Sequence, residues 1–249
     1  MKGGISMTKN LVQKDSIMNK KSGGLHSTDI LIRHLVFFST LILICCLIFG
    51  LLAFSLNKQG ALEQWDIAIV NSMHITALSS PAWVKSIMVI GDYIGLHGYI
   101  AISLLMALYF LIKRFWKELF MVLITSVGQS PLFLGLTYFF ARPRPVFSEN
   151  LGYVTKFFGF PSGHMMSTVI YLGFLTYFFV PKISSRFMKA AVIFAAILIV
   201  VFVGFSRFFM GVHYLTDIVA GTTVGIVWFC LVVMSFESMS KKGDEKHAK

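Results

Sequence analysis

Six stretches of the chain are apolar for about the thickness of a bilayer, and that constrains the fold before any motif is considered. Read from the gaps between charges, they run Leu35–Leu56, Ile94–Ile112, Leu119–Phe140, Met165–Val180, Ala190–Phe205 and Tyr214–Phe236. They approach or reach the roughly 20 residues with which a helix crosses the hydrocarbon core. No water satisfies backbone amides there, so each run must close its hydrogen bonds internally as a helix. The expected fold is all-α, a polytopic membrane protein with six transmembrane helices. Composition agrees, since 56% of the residues are hydrophobic and only 13% charged, against about 25% charged in soluble domains. The first 30 residues are polar and lysine-rich. They contain no apolar core of a cleavable leader, so the first span is expected to act as an uncleaved signal.

The formal net charge of +11 is not a nucleic-acid footprint, because the basic residues collect beside the spans, where they set orientation. They lie in the N-terminal tail (Lys2, Lys9, Lys14, Lys20, Lys21), at Lys113, Arg114 and Lys117, at Lys182, Arg186 and Lys189, and at Lys241 and Lys242. With six spans these four segments share one side, which the positive-inside rule makes cytoplasmic, with both termini inside. The chain then divides into a basic tail (1–34), one six-span domain (35–236) and a second basic tail (237–249). The opposite face receives residues 57–93, 141–164 and 206–213. Residues 57–93 mix Trp65, Trp83 and an apolar series with polar residues, which suits a short helix lying in the outer interface between spans one and two; a packed loop is the alternative. Cys45, Cys46 and Cys230 lie inside apolar runs without metal or redox spacing and read as packing residues.

The unusual polar residues converge on that opposite face. Arg142-Pro-Arg-Pro145 ends the third span, Pro161-Ser-Gly-His164 begins the fourth, Ser206-Arg207 ends the fifth and His213-Tyr-Leu-Thr-Asp217 opens the sixth. Charged groups at membrane depth are costly unless paired or facing an aqueous cavity, which makes them functional candidates. His213 and Asp217 are four apart, so on a helix their side chains can meet. The carboxylate would fix the imidazole tautomer and leave the other ring nitrogen free; a pair that only anchors the helix start is the equal alternative. In Pro161-Ser162-Gly163-His164 the serine can cap a helix, the glycine admits close approach of a ligand, and the first-turn amides point at an anion. Arg144 and Arg207 are planar forks suited to phosphate, or else interface anchors. Of 11 acidic residues only Asp217 falls in the constellation, so no metal site of clustered carboxylates and no cofactor is expected. Gly128, Gln129 and Pro131 read as a kink in the third span. His34, His74, His97 and His247 match no motif.

These motifs resemble the type 2 phosphatidic acid phosphatase superfamily, whose pattern is Lys-x6-Arg-Pro, then Pro-Ser-Gly-His, then Ser-Arg-x5-His-x3-Asp. The second part is unbroken at Pro161–His164, and the third is complete from Ser206 and Arg207 to His213 and Asp217. In the first part Arg144-Pro145 is present, but Thr137 stands at the lysine position. Arg142 is a substitute cation only if it can reach round the helix, being about 140° away from residue 137 at roughly 100° per residue, with Pro143 and Pro145 breaking the helix beside it.

The resemblance implies a membrane lipid phosphatase in which His213 attacks phosphorus and Asp217 orients its ring. His164 protonates the leaving oxygen and then activates water. Arg144, Arg207, Ser162 and the Gly163 amide hold the phosphoryl oxygens, with Arg142 and Thr137 as further positions to test. The implied setting is a bacterial plasma membrane with the site on the extracytoplasmic face, and undecaprenyl pyrophosphate is the favoured substrate. A bell-shaped pH profile is expected, because one histidine must start neutral and the other protonated. Two alternatives are a phosphotransferase, passing the group to another lipid or a sugar, and a non-catalytic lipid-phosphate binder.

Overall fold

The computed structural model describes residues 32–56, 60–147, 151 and 157–247, with side chains as far as residue 239. The basic tail over residues 1–31 and the side chains of Lys241 and Lys242 lie outside the described residues. The chain divides into two units, Met1–Thr40 and Leu41–Lys249. The described part of the first is helical residues 32–40, and everything below concerns the second.

Among the described residues the elements are helical: α1 (Ile32–Leu56), α2 (Ala61–Ser79), α3 (Ala82–Tyr93), a π turn (Ile94–Gly98), α4 (Tyr99–Ile112), α5 (Trp116–Phe140), α6 (Gly163–Phe179), α7 (Arg186–Phe209) and α8 (Leu215–His247). Among the described residues six segments are long and apolar enough to cross a membrane: Ile32–Leu56, Ala82–Ile112, Trp116–Phe140, Gly163–Lys182, Arg186–Phe209 and Leu215–Met239. Large apolar side chains such as Leu104, Leu105, Phe194 and Val201 are exposed on them. A patch of that kind would be a liability in water and is the natural contact with acyl chains in a bilayer.

The second span differs from its expected bounds. It begins at Ala82 rather than Ile94, because α3 runs through the π turn into α4. Lys85 and Asp92 interrupt the apolar run of that stretch in the sequence, yet both are satisfied inside the fold. Lys85 donates to the Leu78 carbonyl across the α2–α3 turn (2.9 Å), and Asp92 pairs with groups on α6 and α7. Residues 57–93 therefore hold one full helix, α2, and the first turns of a span.

Two glycines bring α6 and α8 together. A Cβ at Gly221 would lie 2.3 Å from the Ser162 carbonyl oxygen, and one at Gly225 would lie 2.9 Å from that of Met166. Gly221-x3-Gly225 is the small-residue spacing that lets membrane helices approach backbone to backbone. The expected kink residues of α5 are contact residues as well. The helix continues through Pro131, Gly128 faces the Trp228 ring, and Gln129 donates to Ser167 Oγ at 3.0 Å. Helix α5 ends at Ala141, which adopts the left-handed conformation (φ 45°) just ahead of Pro143.

Candidate active site

The ends of α3, α5 and α7 and the starts of α6 and α8 meet at one end of the bundle. The turn before α6 is tied to the first turn of α8 by the Ser162 amide, which donates to the Asp217 carbonyl at 3.0 Å. The segment after α5 is tied to the same place by the Gly159 amide, which donates to the Arg142 carbonyl at 2.8 Å. The Phe160–Pro161 peptide between these ties is cis. Polar residues up to 75 positions apart are thereby held in register by backbone bonds.

His213 is fully buried at the head of α8. Its Nδ1 faces Asp217 Oδ2 at 3.4 Å, and the ring also engages the Gly159 backbone. Its Nε2 lies 2.9 Å from Arg144 Nη1. A guanidinium can only donate, so Nε2 must be the acceptor and Nδ1 carries the proton. That is the tautomer in which a carboxylate on one side leaves a lone pair on the other. Burial, reinforced by the charges of Arg144 and Arg207, holds His213 well below the ordinary histidine range and so favours the neutral ring.

Arg144 is clamped by backbone carbonyls. Its Nε donates to Phe157 O (2.9 Å), Nη1 to Val212 O (2.8 Å) and Nη2 to Phe158 O (3.3 Å). Burial, and then the neighbouring Arg207, push its pKa down to about 10. Arg207 and His164 share a partner that the sequence reading missed. Asp92 Oδ1 accepts from His164 Nε2 at 2.8 Å and makes a short contact with Arg207 Nη1. Asp92 can come so close because Gly91 has no side chain: a Cβ there would sit 2.4 Å from Ser206 Oγ. The serine of the Ser-Arg pair is thus a point of helix contact, its own hydroxyl donating to Val203 O at 2.7 Å.

Three expectations need correction. Asp217 is not the sole acidic residue of the cluster, since Asp66 and Asp92 join it from α2 and α3. Both lie in the stretch whose fold could not be read from local pattern. Ser162 occupies the N-cap position of α6 without capping it through its side chain. Instead Ser162 Oγ and Arg207 Nε are buried without a hydrogen-bond partner among the described residues. Arg142 does not reach the place left by the missing lysine. It is engaged by Asp66 and Asp217, while Thr137 is fully buried with its hydroxyl 3.4 Å from the Phe160 carbonyl.

The site opens into a cavity of about 360 Å³ whose lining includes Arg144, Gly163, His164 and Gln129 together with Leu96, Ile100 and Phe133, so both an anion and an apolar chain find matching groups there. The carboxylates are all matched by cations, and no three His, Cys, Asp or Glu residues converge as a metal site among the described residues.

Residues 119–239 match the PAP2 superfamily. Phosphatidylglycerophosphatase B of Bacillus subtilis (strain 168) is 28% identical over 204 residues, covering 80% of this chain and 96% of that protein. Among solved structures, the first transmembrane PAP2 type phosphatidylglycerolphosphate phosphatase from Bacillus subtilis superposes with a TM-score of 0.65 at 29% identity. The match covers 82% of this chain and 96% of that one.

Proposed function

We propose that this chain, whose residues 119–239 match the PAP2 superfamily, is a membrane phosphatase of that kind and hydrolyses a lipid phosphate through a phosphohistidine on His213, without a metal ion. The observation that carries the reading is that Ser162 Oγ and Arg207 Nε are buried without a partner among the described residues, while His213 Nε2 is held in acceptor form. Unmatched buried donors are costly unless an anion completes them, and tetrahedral phosphate is an anion of the right geometry. In the proposed first step the Nε2 lone pair of His213 forms an N–P bond while the bond from phosphorus to the leaving oxygen breaks. That oxygen takes the proton that His164 holds on Nε2. In the second step His164 accepts a proton from water as the water oxygen adds to phosphorus, and the N–P bond breaks to release inorganic phosphate. Splitting the displacement in two lowers each barrier. Arg144, Arg207, Ser162 and the Gly163 amide stabilise charge on the equatorial oxygens.

The proposed site of action is the extracytoplasmic leaflet of a plasma membrane. The likeness to phosphatidylglycerophosphatase B supports phosphatidylglycerophosphate as substrate, and undecaprenyl pyrophosphate is the second candidate. The test is phosphate release from both lipids by detergent-purified protein in EDTA, beside His213→Ala and His164→Ala. Release that persists in EDTA and is lost in both variants is expected. Release abolished by EDTA, or retained in His213→Ala, would overturn the mechanism.

A further inference from the structure

Arg142 is the basic residue nearest the position where the superfamily pattern has lysine, and its surroundings show what it does instead. It is 7% exposed, and both terminal nitrogens are engaged. Nη1 donates to Asp217 Oδ1 at 2.6 Å and to Thr216 Oγ1 at 2.7 Å, and Nη2 donates to Asp66 Oδ2 at 2.9 Å. The flat face of the guanidinium lies 4.1 Å from the centre of the Tyr214 ring. Burial works against its charge, but Asp217 and Asp66 outweigh that and hold its pKa above the usual arginine value.

Asp66 closes the arrangement from α2. It is 3% exposed, accepts the Thr216 amide at 3.3 Å and makes a short contact with the Thr216 hydroxyl. Thr216 is in the first turn of α8, where amides lack a helical partner, so Asp66 caps that helix from another part of the chain. The two oxygens of Asp217 are divided accordingly. Oδ1 goes to Arg142, while Oδ2 faces His213 Nδ1 and accepts the Tyr214 amide at 2.9 Å. Without Arg142, the carboxylate could rotate toward other donors and two buried acidic groups would lose their shared cation.

We propose that Arg142 and Asp66 are positioning residues for the nucleophile: Arg142 fixes Asp217 so that one oxygen stays on His213, Asp66 fixes Arg142 and the start of α8, and neither touches substrate. The proposal rests on the reading of His213 as nucleophile. It gives α2 a function, since that helix completes the site by a contact remote from the phosphate. It also means that the anion is gripped without a cation from the lysine position or from Arg142.

The test separates positioning from anion binding. Arg142→Gln, Arg142→Lys, Asp66→Asn and the Asp66→Asn/Arg142→Gln pair are compared with Arg144→Gln for kcat, KM and competitive inhibition by inorganic phosphate. The expected result for Arg142→Gln is a kcat lower by about 10- to 100-fold, the range seen when a group orienting a functional histidine is lost. Its inhibition constant for phosphate should stay within about threefold of wild type, while Arg144→Gln weakens it. Asp66→Asn should lower kcat in the same way, Arg142→Lys should recover part of the loss, and the double variant should fall little below Arg142→Gln because the two act as one unit. A phosphate constant weakened tenfold in Arg142→Gln, or an unchanged kcat, would overturn the proposal. Nitrogen-15 NMR of the imidazoles gives a readout independent of turnover. Wild type should show His213 as the Nδ1–H tautomer, and Arg142→Gln a mixture; identical spectra would sink the positioning role. If wild type releases no phosphate while that tautomer change is seen, the phosphatase reading fails and the positioning role stands.

Discussion

Gly221→Ala probes the closest backbone approach in the site. The added methyl would lie 2.3 Å from the Ser162 carbonyl oxygen, 3.0 Å from its amide nitrogen and 3.1 Å from Met165 Cβ, where ordinary contact begins near 3.4 Å. Two of these neighbours are backbone atoms, so no rotamer change can relieve the overlap. The turn that carries Ser162, Gly163 and His164 must retreat from α8 by roughly 1 Å, a displacement that can cost about 10²-fold in rate when it separates reacting groups. The same movement strains the bond from the Ser162 amide to the Asp217 carbonyl. Overpacking costs typically about 1–3 kcal/mol, and replacing a helical glycine by alanine recovers up to about 1 kcal/mol. The protein should therefore fold while losing most of its activity. The assay is lipid phosphate release at saturating substrate, with thermal unfolding followed in the same detergent. Gly135→Ala, where nothing lies within 4 Å of the added atom, is the control and should keep wild-type kcat. A folded Gly221→Ala protein with kcat within about threefold of wild type would refute the idea that the α6–α8 approach sets the catalytic geometry.

The other predictions concern charge and one missing contact. Burial and then Arg144 hold His213 below the ordinary histidine value, and in the proposed mechanism it is the neutral ring that attacks. The acid limb of kcat/KM should therefore fall well below pH 6.5 and move up in Arg144→Gln, and a wild-type limb at or above 6.5 would contradict this. Asp92→Asn removes the anion shared by His164 and Arg207, so kcat should drop about tenfold or more while inorganic phosphate inhibits several-fold more strongly; weaker inhibition would refute the view that Asp92 competes with phosphate. Thr137→Val gives up one long hydrogen bond to Phe160, worth at most about 1 kcal/mol. KM should stay within about twofold, and a tenfold rise would show that the hydroxyl serves the substrate.

The spans and the motif residues were legible because each follows from a local pattern: uninterrupted apolar length for the helices, and short fixed spacings for Pro161–His164, Ser206-Arg207 and His213–Asp217. Asp66 and Asp92 were not, because nothing local distinguishes a carboxylate facing lipid headgroups from one that completes a buried pair 76 or 115 residues away in sequence. Their stretch reads as an interfacial helix or a packed loop since its charges interrupt the apolar run, and the fold pairs Asp66 with Arg142 and Asp92 with Arg207. The start of the second span was misplaced for the same reason. Gly221-x3-Gly225 was visible in the sequence, and its spacing could have indicated the close contact of α6 with α8. The unpartnered hydroxyl of Ser162 could not have been foreseen, since a serine before a helix ordinarily caps it.

Asp92 has a consequence for how the site fills and empties. Arg142 is balanced by Asp66 and Asp217, and His164 and Arg207 share a carboxylate. If the proposed mechanism holds, an arriving phosphate would displace a resident anion, so association would resemble exchange on a resin more than capture in an empty hole. The same exchange would run backwards as product leaves, with the carboxylate returning to the two cations, so that affinity for product would be traded for turnover.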